Sequence, residues 1–328
     1  DIEARVLFTN AAILAAYQKA NSSPDVLKVF MAPEFLFRGA AGAYLYDLLN
    51  GWQKACPFPA LDPKKYNAWP GLLGLLKGEV LANNYNDWLF IFGSAIGASY
   101  KNDGKVIDLS SAAEAYNLSL VQQGGTANAA NTFVCRKLYK STIDFIKARY
   151  AAFNASNVVD QLVSHFDSTN EQPAPDTSLF NFSNINANQK PLKFGIEICL
   201  DHAISVGANN VTNKFGRVRA TGSKVNIQLV PSGGMSLNAD SIWLDSATNN
   251  YAFNCDGLVG TGYGAHTSVG TTSNIQLVSN VDTNPAGSGQ ALVKVPDVLN
   301  NIDSKHLWTI GIGVAVAGSV RVLAPLAL

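Results

Sequence analysis

Apolar runs punctuated by small and polar residues recur along the chain, and their spacing separates helices from strands. From about residue 2 to 20 (IEARVLFTNAAILAAYQKA) the apolar positions fall at helical spacing, and NSSPD stops the predicted helix. The continuous apolar run in VLKVFMAPEF then predicts a short buried strand. The same order returns: GLLGLLKGEVLANN predicts a helix and WLFIFGSAIG a buried strand ending in small residues. AYNLSLVQ and TFVCRKLYK predict two strands of a hairpin around QGGTANAAN, whose Gly and Asn residues mark the turn.

The second half continues the alternation. Ser141 to about His165 has helical tendency, and residues 166–190, polar and rich in Pro and Asn, predict a long loop. LKFGIEICLD and KVNIQLVPSGG predict buried strands, with a helix from Ala203 to about Asn210 between them. SIWLDSATNNYAFNC predicts a helix feeding a strand at DGLVGTG, followed by strands at HTSVG, NIQLVS and ALVKV and a C-terminal strand at IGIGVAVAG. No linker-like break interrupts this order, which points to a single α/β domain over residues 1–328. The most membrane-like stretch, Leu307 to Leu328, is broken by Arg321 and Pro325. Its uncharged part of about fifteen residues is short of the roughly twenty a spanning helix needs.

Composition narrows the function classes. With 24 Lys and Arg against 24 Asp and Glu, the 328-residue chain has no basic surplus to neutralise phosphates, which argues against a nucleic-acid binder. Hydrophobic residues at 47% supply a large core, while charged residues at 15% leave a polar, weakly charged surface. Cys56, Cys135, Cys199 and Cys255 lie far apart and form no Cys-x-x-Cys or Cys/His cluster, so no metal site is expected and free buried thiols fit at least two of them. The chain opens on Asp1 without a basic and apolar leader, so any targeting signal has been removed or lies outside it. Compartment stays open, with cytoplasm slightly favoured over a secreted or processed form. The Asn-x-Ser/Thr sequons at Asn21, Asn117, Asn154, Asn181 and Asn210 are what an Asn-rich chain produces by chance.

Three strand ends carry residues that could do chemistry. Glu34 follows a short apolar strand and Pro33 among Phe35, Leu36 and Phe37; burial there raises a carboxyl pKa toward the range of a general base. The alternative is a strand-end Glu that points into solvent or pairs with Arg38. Cys199, in LKFGIEICLDH, sits at the carboxyl end of a buried run, where open α/β folds place ligands, although a lone Cys is more often a small core residue. Strand alternation would put Glu197, Cys199 and Asp201 on one face. Lys137 and Lys140 in CRKLYKSTID could stabilise an oxyanion, against the alternative of a solvated basic strand end.

Together these segments resemble the Glu-Lys-Cys arrangement of the nitrilase superfamily of carbon-nitrogen hydrolases. FMAPEF is similar to the segment that supplies the family's general base, YNLSLVQ–turn–TFVCRKLYK to the hairpin that delivers its lysine, and FGIEICLDH to the segment around its nucleophile. WLFIFGSAIG and VNIQLVPSGG match two further strands in the right order. The resemblance implies a four-layer α-β-β-α sandwich with insertions near 40–70 and 150–190. It implies Glu34 as base, Cys199 as nucleophile, the backbone N–H of Leu200 as oxyanion donor, and Lys140 as the lysine, with Lys137 the alternative because Ile143 three residues after Lys140 fits the family spacing. Glu197 and Asp201 are candidate supporting carboxylates; Asp144 and Glu171 are weaker ones. No cofactor or metal is implied. The implied substrate is a small amide, hydrolysed through a thioester; nitrile hydrolysis or acyl transfer by the same residues, or a non-catalytic binding module, are the alternatives. Pairing of copies through the helical layer and C-terminal tail also follows from the resemblance. Two departures stand out: HAISVGAN follows Asp201 where the family has an Arg-Phe-Pro-Glu-like stretch, and no strand precedes the first helix.

Other features lead nowhere. GTGYGA at Gly260 to Ala265 fits a loose dinucleotide fingerprint, yet strand-like residues follow where a helix should begin. His202 and His266 have nothing in the sequence that brings them to a thiol. Phe35, Tyr44, Trp52, Trp69 and Trp243 could line an apolar pocket, with core packing the commoner use of such residues.

Overall fold

The computed structural model describes residues 1–39, 42–58, 60–99, 114–126, 128–139, 178–187, 190–203, 216–245, 249–257, 266–271, 275–278, 290–295 and 318–328. The architecture is mixed α/β, built on two sheets that pack face to face.

The first helix, α1 (Ile2–Tyr17), ends close to where NSSPD predicts, and β1 (Lys28–Met31) follows it. The first sheet contains β1, β2 (Tyr44–Leu45), β3 (Trp88–Ile91), β4 (Ala95–Ser99), β5 (Glu114–Gln123) and β6 (Thr132–Arg136). The short helices α2 (Tyr46–Asn50) and α3 (Gly71–Glu79) precede β3. Pairing is parallel between β1 and β3 and between β2 and β4, and antiparallel from β3 and β4 through β5 to β6.

The apolar run WLFIFGSAIG predicted one strand; it forms two, because the chain bulges at Phe92–Gly93–Ser94. β3 and β4 both pair with β5, but the register slips by one residue between Ile91↔Val121 and Ala95↔Leu118. Such an extra residue reverses which face later side chains occupy. Before the bulge, Trp88, Phe90 and Phe92 face the helices, while Leu89 and Ile91 face the second sheet. After it, Ala95 lies on the helix side, where unbroken alternation would have turned it away.

The helix side of this sheet buries Val6 and Ile13 of α1 and Leu72 and Leu76 of α3 against Phe30, Phe90 and Phe92. Trp88, Phe90 and Phe92 stack in a ladder with centroids 5.6 and 5.8 Å apart. Val320 and Val322 of the C-terminal hairpin, formed by β15 (Gln290–Val295) and β16 (Gly318–Leu323), join the same cluster.

The second sheet runs in the order β14-β13-β12-β11-β10-β7. Its members are β7 (Leu179–Phe180), β10 (Phe194–Ile196), β11 (Ile227–Ser232), β12 (Tyr251–Asp256), β13 (His266–Gly270) and β14 (Ile275–Val278). β10, β11 and β12 are parallel, and the others join antiparallel. A small ladder of β8 (Asn186–Ala187) and β9 (Lys190–Pro191) stands apart. Phe194, Ile196, Ile198, Ile227 and Leu229 meet Leu89, Ile91, Val121 and Cys135 across the seam between sheets. The outer face of the second sheet buries Val230 and Ala252 beneath Val218, Leu237, Ile242 and Leu244. Val218 lies in the four-residue helix α5 (Arg217–Ala220); α4 (Leu200–Ala203) directly follows Cys199.

One expectation needs correction, and several fall outside the described residues. YAFNC, predicted as the end of a helix, is strand β12, which lies before the expected DGLVGTG; the aromatic residues Tyr251 and Phe253 alternate along it, it pairs with β11 over Ile227↔Tyr251 to Ser232↔Asp256, and tertiary pairing overrides the weak helical signal upstream. The helical tendency of 141–165, most of the loop at 166–190, Lys140, GTGYGA and the IGIGVAVAG strand lie outside the described residues. No described helix is long and apolar enough to cross a membrane.

Deleting the central ring of the aromatic ladder opens a large cavity under both α1 and α3. Phe90→Ala is expected to lower unfolding free energy by about 3–5 kcal/mol, read from the midpoint of urea denaturation.

Candidate active site

The carboxyl ends of β1, β6, β10, β11 and β12 meet at one end of the seam, and each delivers a polar residue there. After β1, the chain turns through Pro33 to Glu34, whose N–H donates to the Ser232 carbonyl at the end of β11 (3.2 Å) and thereby ties the two sheets together. Phe35 takes the left-handed conformation (φ 66°) with its N–H on Ser94 Oγ at 3.1 Å. Leu36 offers its carbonyl to Arg5 of α1 at 2.6 Å. The bulge described above makes this turn possible. Gly93 has φ 69°, and a Cβ there would lie 2.1 Å from the Pro33 carbonyl oxygen.

Glu34, only 3% exposed, accepts at Oε1 from Lys137 Nζ (2.9 Å) and from Asn117 Nδ2 (2.8 Å). Lys137 follows β6, and its N–H on the Asn117 carbonyl (2.8 Å) extends the ladder with β5 by one step. Both charged side chains of the pair are fully buried. Of the two sequence candidates, Lys137 is therefore the lysine that meets Glu34, while Lys140 falls outside the described residues. A buried Lys is admissible at this position because a carboxylate neutralises it and the Phe35 ring lies 5.9 Å from its Nζ.

Cys199 reaches the same place by breaking the strand's alternation. Phe194, Ile196 and Ile198 point into the seam, so a regular continuation would turn Cys199 outward with Glu197. Instead Cys199 adopts φ 51° at the junction with α4 and joins the seam cluster. Its N–H is held by the Pro231 carbonyl at 3.0 Å. Sparsely populated backbone conformations at both Phe35 and Cys199 are the kind of strain that persists only where surrounding contacts over-determine it.

The Cys199 thiol lies within electrostatic reach of Glu34 and Lys137 and beside the Gly233 backbone. Burial and then the Glu34 carboxylate push its pKa well above that of an ordinary thiol, against the opposing pull of Lys137 and Gly233. The resting pair is therefore a thiol beside a carboxylate, not a preformed thiolate. Cys135, also buried, is pushed up to about 12 by burial first. All four cysteines are free.

The two candidate supporting carboxylates divide. Glu197, expected on the Cys199 face, lies on the outer face of the second sheet, with His202 Nδ1 at 2.6 Å and Gln228 Nε2 at 2.8 Å. His202 Nε2 accepts the Asn238 N–H (2.9 Å), which leaves Nδ1 as the donor to Glu197. Asp201 turns instead toward the strand that carries Lys137 and accepts the N–H groups of Leu138 (3.0 Å) and Tyr139 (2.8 Å).

Asn117 and Asp256 are site residues that sequence reasoning passed over. A polar residue in the middle of an apolar strand, AYNLSLV, was the available signal for Asn117. Asp256 accepts from Ser232 Oγ (2.8 Å) and the Gly234 N–H (2.9 Å), fixing the Gly233 loop against the thiol. Of the candidate pocket aromatics, Phe35 alone touches this cluster. Tyr44 is bonded to Asp1, Trp52 packs on Trp69, and Trp243 lies under Arg219 and Lys224. Among the described residues no group of His, Cys, Asp and Glu could hold a metal ion.

No family model and no curated protein matches the chain. Two solved structures of an N-terminal amidase are similar to it, one carrying a cysteine-to-serine substitution, at 15% and 16% identity and TM-scores of 0.34 and 0.33. Each match covers 71% of this chain but 44% and 45% of the other, so the chain spans less than half the length of the structures it matches. A likeness at that TM-score carries no argument about the site.

A side chain at Gly93 would strike the turn that carries Glu34. Gly93→Ala is expected to destabilise the fold by at least about 2 kcal/mol in urea denaturation, from the left-handed backbone and the displaced Pro33 together.

Proposed function

We propose that this protein is a cysteine-dependent hydrolase of non-peptide carbon-nitrogen bonds, acting on a small carboxamide. The observation that carries the reading is the convergence of Glu34, Lys137 and Cys199, far apart in sequence, in one buried cluster at the strand ends. The resting ionisation fits such a reaction. Glu34 is the base and removes the thiol proton as the sulfur attacks the amide carbon, so that the charge on sulfur is never left unsupported in the buried site.

Attack forms the S–C bond and moves the carbonyl π electrons onto oxygen. Lys137 and the backbone N–H of Leu200, in the first turn of α4 and so not consumed by its ladder, hold that oxyanion. Donors of this kind contribute about 3 kcal/mol each to the transition state. Collapse breaks the C–N bond, and Glu34 delivers its proton to the departing amine. A water then enters, loses a proton to Glu34 and attacks the thioester; the second collapse releases the carboxylic acid and restores the thiol. None of these steps draws on a metal or an organic cofactor. The proposed fold for the whole chain is the α-β-β-α sandwich in one domain, of which the helix layer, two sheets and the short α5 cover are the supporting parts.

The chemistry separates from the fold in one of two substitutions. Cys199→Ala and Glu34→Gln should each abolish turnover of a mixed amide panel, followed by product mass; Cys199→Ala should keep the wild-type melting temperature within a few degrees, whereas Glu34→Gln, which strands the buried Lys137 ammonium, should lower it. Retained turnover in Cys199→Ala rejects the reading. For the lysine, Lys137→Ala should lower kcat by about a hundredfold or more and Lys140→Ala by far less, a contrast that steady-state kinetics on the same panel will measure.

A further inference from the structure

Asp201 and Arg217 form a buried ion pair (Oδ2 to Nη1, 3.3 Å) whose other contacts surround Lys137. The Arg217 Nη1 also donates to the Arg136 carbonyl at 2.7 Å, one residue before Lys137. The Asp201 carboxylate takes the N–H groups of Leu138 and Tyr139, the two residues after it. The backbone on both sides of the lysine is thus held by one pair. Asp201 itself stands two residues after Cys199, in the helical turn that the cysteine's left-handed backbone begins.

We propose that the Asp201–Arg217 pair is a positioning device that sets Lys137 against Cys199, and that the ionised form of Asp201 is the one that holds the working geometry. The inference rests on the catalytic reading of Lys137 and Cys199. Neither Asp201 nor Arg217 contacts the reacting atoms in it; both act through the backbone of their neighbours. The contrast with Glu197 supports the assignment, since that equally buried carboxylate is bonded to His202, Gln228 and Val218 on the far face of the sheet.

Charge around Asp201 determines when the device is closed. The groups facing it are the Arg217 guanidinium from α5, the Lys137 ammonium and the Cys135 thiol from the β6 segment, with Glu197 beyond Arg217. Burial is the largest influence and pushes the carboxyl up to about 6, while Arg217 and the two N–H groups pull it down. Between about pH 4 and 6 the folded protein then holds a proton that the unfolded chain has released, so this group does not weaken the fold on acidification; its contribution to stability falls as pH rises through that window. What protonation removes is local: the charge that draws in Arg217 and the N–H groups of Leu138 and Tyr139.

Hydrogen exchange on the wild-type protein tests this without any substrate. After correction for the intrinsic pH dependence of exchange, protection of the Leu138 and Tyr139 amides should drop by about tenfold from pH 7.5 to pH 5, the loss of roughly one charge-assisted hydrogen bond. Iodoacetamide gives the second readout: the rate of alkylation at Cys199, followed by peptide mass, should show an acid limb near pH 6. That limb should vanish in Asp201→Asn and move upward in Arg217→Gln, which removes the charge that favours ionisation. Protection that is independent of pH in wild type overturns the proposal, and so does a limb that stays in place in both variants. Should the variants fail to fold, the wild-type exchange measurement decides alone. None of these results depends on the amide-hydrolase assignment, which the Cys199→Ala kinetics test separately.

Discussion

A fully buried ammonium and carboxylate, 2.9 Å apart at the seam of two sheets, is the constraint around which this protein is arranged. Taking both charges from water costs several kcal/mol each, and their attraction offsets that only when the remaining polar atoms are satisfied and the geometry is held. The surroundings of Glu34 and Lys137 hold that geometry. Asn117 shares the same carboxylate oxygen, the Lys137 backbone continues the β5 ladder, and the Glu34 backbone is fastened to the end of β11. Removing either charged partner strands the other, so the pair ties the packing of the two sheets to the chemistry at their edge.

The thiol completes this electrostatic balance in an uncommon direction. A cysteine is activated in many sites by a nearby positive charge, which lowers its pKa and stores thiolate before substrate arrives. Here burial, and after it a carboxylate that outweighs the ammonium, hold Cys199 as a thiol.

Much of the scaffold was legible in the sequence because its signals are local. α1, the β5–β6 hairpin and the buried runs of β1, β10 and β11 follow from apolar spacing and turn residues, and Glu34 and Cys199 stand out at strand ends. What stayed hidden depends on tertiary pairing. Residue spacing favoured Lys140 over Lys137, whereas the identity of the lysine that meets Glu34 is decided by which residue the hairpin register turns into the seam. Alternation put Glu197 and Cys199 on one face, and a single left-handed residue separates them. The YAFNC strand was obscured because its partner, β11, lies far upstream. Asn117 and Arg217 gain their meaning only from neighbours that no sequence window contains.

The bulge at Phe92–Gly93–Ser94 makes the strand sensitive to parity. One added residue switches the faces of everything beyond it, placing Ala95 under the helices and Ser94 beneath Phe35. Side chains along β3 and β4 can thus be exchanged individually over evolutionary time, each judged on its own packing. Chain length in this stretch has no such freedom, since losing a single residue would interchange interior and exterior for a whole strand and withdraw the floor under the Glu34 turn in the same stroke.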